Sequence, residues 1–303
     1  MHCVLSELSR ALTRDPAAEI ARADAAFDAA IEQIARDIRA NAEQRPIVLL
    51  SGPSGSGKTT TARKLEHWLD TAGLETHTLS LDDYFTPQTA AQRELAAAGK
   101  LDLESPDRVD GAFLHEQLES IIACRPTALP RFDFPTATRE FSGRVLTRKP
   151  GEPVIVEGTH ALNPAVTGLK PEQTTRLYVS VRSTLLTDDG TEIFPHTVRL
   201  MRRLQRDILF RGRPAADTLA MMPSVQRGER LHISPYKSLA DREIDSLLPY
   251  ELGVYRSLLP AVVETLPPDD PEVALLRRVL EAVPPIPPAA VPADSLIREF
   301  IGV

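Results

Sequence analysis

The sequence predicts an α/β fold in which a parallel sheet is covered by helices on both faces. Three observations carry this. Short apolar runs recur through the middle of the chain, "PIVLL", "PVIVE" and "RLYVSV" among them, each bounded by Pro, Gly or polar residues. Helical patterns stand between these runs, as the crossovers of a parallel sheet require. The first run leads directly into "SGPSGSGKTTT" (51–61), a stretch so rich in Gly and Ser that backbone can come very close to a partner there.

The elements follow in order. Ile20, Phe27, Ile31, Ile34 and Ile38 recur at helical spacing over residues 17–42, giving one long amphipathic helix. Acids and bases mix on its polar side, which argues against a membrane-surface role. "PIVLLS" is a buried strand, "TTARKLEHWLDTAG" a helix closed by Gly73, and "LETHTLSLDD" a second strand. "ALPRFDFPTATREFSGRVLTRKPG" reads as a hairpin inserted into the alternation. Further buried strands fall at 153–162 and 175–181, a patterned helix at 196–211, and a last strand and helix at 242–259. Beyond Leu266, "LPPDDP" and "VPPIPPAAVP" bracket the helical "EVALLRRVLEA". Prolines break helices, so this part reads as a wrapping tail or a spacer, with "SLIREFIGV" apolar enough to dock. The expected organisation is an N-terminal helical extension (1–45), an α/β domain (46–262) and a Pro-rich C-terminal tail (263–303).

The 303 residues, 42% apolar and 25% charged, can build a sizeable core. A net charge of −7 argues against nucleic acid or an anionic membrane as partner, so any anion site must be a local basic cluster. Cys3 and Cys124 give neither a disulfide framework nor zinc spacing, which suits a reducing compartment. No signal-peptide core and no bilayer-length apolar run is present. The expectation is a cytoplasmic protein acting on a small molecule, with homo-oligomer formation left open. His67, His77, His115, His160, His196 and His232 lack metal-ligand spacing and read as structural. Cys124 reads as a buried small residue and Trp68 as core.

"GPSGSGKT" (Gly52–Thr59) has the spacing G-x-x-x-x-G-K-[ST]. A polyphosphate needs several backbone N–H groups converging on its oxygens, and Gly52, Gly55 and Gly57 keep side chains out of the way. The next helix offers its unpaired first-turn N–H groups and positive dipole end. Ser54, Ser56 and Thr60 complete the cradle, Lys58 bridges the outer phosphates, and the Thr59 hydroxyl suits Mg²⁺. The fold is thus of the P-loop NTPase type, with ATP and Mg²⁺ the expected cofactors.

Ligands of an open parallel sheet sit at the carboxyl ends of its strands. Asp82 and Asp83 follow the second strand; Glu157 ends "PVIV". Asp82 is the candidate base for an attacking hydroxyl and Glu157 the candidate metal-shell residue, while Asp83 reads as a solvated turn. On the 196–211 helix, Arg199, Arg202, Arg203 and Arg206 fall on one side and Leu200, Met201, Leu204 and Ile208 on the other. Arg211 and Arg213 flank Gly212. A row of arginines is often only a solvated face. With no Glu or Lys interleaved on this one, a helical lid over a transferring phosphate is the favoured reading.

"SGPSGSGKTTTARKL", "LSLDDYF", "DLESPDRVD", "LPRFDFPTATR", "VIVEGTHAL" and "RRLQRDILFRGR" occur in the order of the uridine kinase branch of the phosphoribulokinase/uridine kinase family, which the chain resembles over about 46–250. "SVQRGERLHISPYKSLADREIDSLLPYEL" is similar to a bacterial uridine-kinase-like subgroup. The resemblance implies a P-loop kinase that moves the ATP γ-phosphate to a primary hydroxyl, such as the 5′-OH of a nucleoside. It places Asp82 as catalytic base and Thr59 and Glu157, with Asp82 nearby, on the Mg²⁺ shell. It places Glu104 where an aspartate holds ribose hydroxyls and Phe132 where a tyrosine lies beside the base. Lys58 and the helix and lid residues Arg203, Arg206, Arg211 and Arg213 handle the phosphate and substrate. Ala137 stands where the uridine-reading histidine falls. Two further readings stand beside this one: a kinase for a sugar-like or polyol metabolite, and a nucleotide-binding assembly protein using hydrolysis as a switch.

Overall fold

A computed structural model describes residues 2–97, 102 and 104–302; Leu103 of the "DLESPD" stretch lies outside them. The strands are β1 (His2–Val4), β2 (Ile47–Ser51), β3 (His77–Ser80), β4 (Thr127–Asp133), β5 (Thr138–Leu146), β6 (Val154–Glu157), β7 (Thr174–Ser180), β8 (Thr184–Leu186), β9 (Glu192–Ile193) and β10 (Arg242–Asp245). The helices are α1 (Leu5–Arg14), α2 (Pro16–Asn41), α3 (Lys58–Thr71), α4 (Ala90–Ala97), α5 (Gly111–Ile122), α6 (Pro164–Thr167), α7 (Pro195–Arg211), α8 (Ala215–Gly228), α9 (Glu251–Leu258), α10 (Pro260–Glu264), α11 (Pro271–Glu281) and α12 (Arg298–Ile301).

Five strands form one parallel sheet in the order β10-β7-β2-β6-β3. Their apolar runs split by alternation between two cores. Val48, Leu50, Ile155, Leu177 and Val179 face one; Ile47, Leu49, Val154, Val156 and Tyr178 face the other. Side chains of a strand point to opposite faces, so a continuous apolar run is what a doubly covered strand needs. The hairpin predicted in the middle of the chain is present as antiparallel β4–β5.

The larger core takes in both ends of the chain. α2 buries Ile20, Phe27, Ile31, Ile34 and Ile38 and packs on α3. Asp15 caps it by accepting from the Ala18 N–H, with Pro16 in its first turn. The sequence pattern gives no sign of β1, only three residues long, which pairs with β8 beside β9 in a second small sheet. Val273, Leu276, Val279, Ile286, Leu296 and Phe300 join the same core. The proline-rich segment is therefore a packed wrap and not a spacer: its prolines turn the chain between apolar residues that dock. Among the described residues no helix is long and apolar enough to cross a membrane.

α7 departs from its prediction. It starts at Pro195, stops at Gly212 with φ +57°, and is buried on all sides from Thr197 to Gln205. Arg199 and Arg202 find their acids outside the helix, and Arg206, Arg211 and Arg213 share Asp207 within it. It is a core helix with an exposed end at Arg211, not a free-standing lid.

Candidate active site

The phosphate-binding loop joins β2 to α3, as its sequence requires. A Cβ on Gly52 would stand 2.1 Å from the Val179 carbonyl oxygen, so only glycine fits against β7. Gly55 and Gly57 adopt φ +77° and +88°, the left-handed region that glycine enters without steric cost. A loop that turns its N–H groups inward turns carbonyls outward, and those need donors. The arginines of α7 supply them. Arg199 Nε donates to the Ser54 carbonyl (3.0 Å) and Arg202 Nη1 to the Gly55 carbonyl (3.0 Å). Arg203 Nη1 donates to Ser54 Oγ (2.6 Å).

These arginines are paired. Arg199 forms a two-pronged bridge to Glu229 (2.9 and 2.7 Å), and Arg202, fully buried, another to Glu251 (both 2.8 Å). Arg206, Arg211 and Arg213 gather on the buried Asp207 at 3.4, 3.1 and 3.2 Å. The reading of a face without acids is corrected on this point. Repulsion along the row is relieved by carboxylates from α9 and the segment after α8, and by Asp207 of the helix itself. Burial, then the neighbouring Arg206, pulls the Arg203 guanidinium down to about 10.

Sheet register brings the carboxylates to the loop. Glu157 lies opposite Leu50 of β2 and opposite Ser80 of β3. Its Oε1 accepts from Ser80 Oγ (3.1 Å) and, at 3.5 Å, from Thr59 Oγ1. Burial pushes its carboxyl up to about 7, against the pull of Lys58 and with the help of Asp82. Asp82 is exposed to solvent, yet protein crowds its flanks. That crowding raises its carboxyl, while Lys58, Arg108 and Arg211 draw it back. Glu104 is raised by burial too and faces Arg203, Lys58 and Arg199. Asp82, Glu104, Glu157, Lys58, Arg203 and Arg211 thus converge. A Cβ on Gly228 would come 2.3 Å from Glu104 Cβ, so the end of α8 sets how Glu104 enters.

Around this centre the structure refines several expectations. Phe132 is buried beneath its neighbours; Phe134, 58% exposed, presents the open aromatic face, with Phe85 edge-on to both at 5.6 and 6.1 Å. Asp83 is no free turn: its Oδ1 accepts from the Phe132 N–H (3.2 Å) and ties β4 to the end of β3. Cys124 is half-buried, with Arg148 Nη2 donating to its sulfur (3.2 Å). Trp68 is likewise half-buried and packs at the edge of the larger core. Arg108 is the residue that sequence reasoning passed over. It faces both Asp82 and Glu104, and its guanidinium lies 4.4 Å from the centre of the Phe85 ring. The signal was present in "SPDRVD", directly after Glu104.

His160 sits beside this centre, 4% exposed, its Nδ1 without a hydrogen-bond partner among the described residues. Burial, foremost, holds it at about 4, against an ordinary 6.5. The folded state therefore keeps it neutral, while the unfolded chain takes up a proton as pH falls below its ordinary value. Stability from this residue is complete above that value and is lost as pH falls towards 4. Denaturant unfolding at a series of pH values should show wild type losing up to about 3 kcal/mol across this window, and His160→Gln losing distinctly less. Parallel curves for the two would refute it.

The chain is similar to known proteins over most of its length. The profile of the phosphoribulokinase/uridine kinase family matches residues 47–250. The uridine kinase of Lactiplantibacillus plantarum is 27% identical over 203 residues, which cover 66% of this chain and 87% of that protein. That of Ligilactobacillus salivarius is 30% identical over 205 residues, 67% of this chain and 86% of the other. A solved structure described as a fructose transport system kinase from Silicibacter sp. TM1040 superposes with a TM-score of 0.50 at 19% identity, over 70% of this chain and 98% of that one. That last likeness is one of fold alone. The chain therefore belongs to the phosphoribulokinase/uridine kinase family, and it is a phosphotransferase with an alcohol acceptor and ATP as co-substrate.

Proposed function

We propose that the acceptor is a nucleoside and the reacting group its 5′-hydroxyl. The observation that carries this is the convergence of Asp82 and Glu104 on Lys58, one carboxylate for the attacking hydroxyl and one for vicinal hydroxyls of a ribose. Asp82 accepts the proton of the hydroxyl as its oxygen bonds to the γ-phosphorus. The bond from that phosphorus to the β,γ-bridging oxygen breaks, and ADP leaves. Lys58 and Arg211 neutralise the charge on the phosphoryl oxygens, and Arg203, with its hydrogen bond to Ser54, holds the loop under them.

The residues fit Mg²⁺. Thr59 and Glu157 place hard oxygens 3.5 Å apart at the lip of the loop, and the charge of Asp82 adds to burial in raising the Glu157 carboxyl, which a cation would relieve. Among the described residues no group of three or more His, Cys, Asp or Glu forms a closed metal cage. An ion held by few protein ligands and completed by phosphate oxygens and water suits Mg²⁺. Thr59 and Glu157 would hold the ion, and it would supply neutralisation of phosphate charge.

For the base, Phe134 offers an open aromatic face backed by Phe85 and the buried Phe132, and Ala137, in the left-handed region at φ +53°, offers no side-chain hydrogen bond. A site without a polar reader discriminates poorly among bases. ATP consumption across a panel of ribonucleosides, 2′-deoxyribonucleosides, sugars and polyols tests the reading. Ribonucleosides should be favoured with little distinction between pyrimidines. Glu104→Gln should raise KM for a ribonucleoside about tenfold or more, with a smaller effect on the 2′-deoxy analogue. A preference for free sugars or polyols would defeat the nucleoside assignment and favour the polyol reading.

A further inference from the structure

The C-terminal segment ends on the phosphate-binding loop itself. Leu296 packs on Gly57, where a Cβ would come within 2.7 Å of Leu296 Cδ1. Three residues on, Glu299 Oε2 accepts from the Thr60 backbone N–H (3.1 Å) and from Thr60 Oγ1 (2.9 Å). Phe300 lies beneath Arg202, 5.1 Å from guanidinium carbon to ring centre, and Arg202 in turn holds the Gly55 carbonyl. Ser295 anchors the start of the segment by hydrogen bonds to Tyr250 (2.7 Å) and Asp24 (2.8 Å).

Thr60 stands in the first turn of α3, where backbone N–H groups have no partner within the helix. Those are the donors a polyphosphate draws on, and a carboxylate draws on them for the same reason. Two anions cannot share one amide and one hydroxyl. The negative charge of Glu299 also extends into the centre, where it raises Glu157 alongside Asp82. We propose that Glu299 competes with the phosphates of the nucleotide for the Thr60 amide and hydroxyl. The segment from Ser295 to Ile301 is then an autoinhibitory strap that must shift for ATP to bind. This rests on the reading of the loop as the ATP site.

The strap has room and a reporter. A cavity of about 760 Å³ lies between it and the outer face of α3, lined by Thr60, Arg63, His67, Trp68, Arg298 and Glu299. Trp68 is the single tryptophan of the chain.

The test measures ATP binding by calorimetry on the full chain, with Trp68 emission followed in parallel, for wild type, Glu299→Gln, Leu296→Ala and Lys58→Ala. Removing the charge in Glu299→Gln should tighten ATP binding about fivefold or more, the worth of a competing cap. Leu296→Ala, which loosens the strap without touching Thr60, should move the dissociation constant the same way. ATP should shift Trp68 emission in wild type. Equal or weaker ATP binding by both strap variants, with Lys58→Ala still losing ATP, would overturn the strap and leave the ATP site standing. Undiminished ATP binding by Lys58→Ala would overturn the ATP site and the strap together.

Discussion

Replacing Asp82 by asparagine is expected to lower turnover about 10²- to 10⁴-fold while changing ATP affinity by no more than about threefold. Asparagine keeps the size of the side chain and removes the carboxylate proposed to accept the proton. In the proposed site ATP is held elsewhere, by the amides of the loop and by Lys58, so binding of the donor should have little to lose. The raised carboxyl of Asp82 also gives a direction in pH. A base must be deprotonated to act, so turnover should fall as pH drops through a value above the ordinary carboxylate range. That acid limb should vanish in the variant. Steady-state kinetics against acceptor concentration, with ATP binding measured separately by calorimetry, decides the matter. Equal losses in turnover and ATP affinity would assign Asp82 to the donor site instead.

The largest effect on stability is expected at Glu251. Glu251 and Arg202 are both fully buried, joined by two bonds of 2.8 Å, and Arg202 also donates to the Ser246 carbonyl at 2.6 Å. Glu251→Ala leaves a guanidinium in the core without its counter-ion and should destabilise the protein by about 3–5 kcal/mol. Replacing both partners with apolar residues of similar size should cost less than the single change, because no charge is then left behind. It should still weaken ATP binding, since the Gly55 carbonyl loses its donor. Urea unfolding of the single and double variants measures the first claim, and a loss below about 1 kcal/mol in Glu251→Ala would contradict it.

Much of the architecture could be read from local pattern. The strand at 47–51, the loop at Gly52–Thr59 and the helix at Lys58–Thr71 are spelled by neighbouring residues, because period, glycine and helix-start signals act over short distances. The hairpin and the strands at 154–157 and 174–180 were legible for the same reason. Asp82 and Glu157 could be named as site candidates because a residue just past a parallel strand faces the ligand end of the sheet. Arg108 was not read out, though it sits within a quoted motif. An arginine in a loop has no periodicity to say which way it points.

The arginine helix shows the limit most plainly. Its wheel separates Arg199, Arg202, Arg203 and Arg206 from its leucines, and on the helix alone that separation looks like an outer, solvent-ready face. The fold packs that face against the loop, because outward-turned carbonyls at Ser54 and Gly55 need donors and Glu229 and Glu251 arrive to balance the charge. The same holds for Glu299, 239 residues from Thr60 along the chain. The sequence alone determined where a polyphosphate can be cradled and which strand ends carry acids, since both are matters of adjacent residues. Which cations stay free, which are neutralised, and which carboxylate sits on the loop was decided only by tertiary structure. A charge acts through space and not along the chain, and its partner is whatever the packing of the core brings beside it.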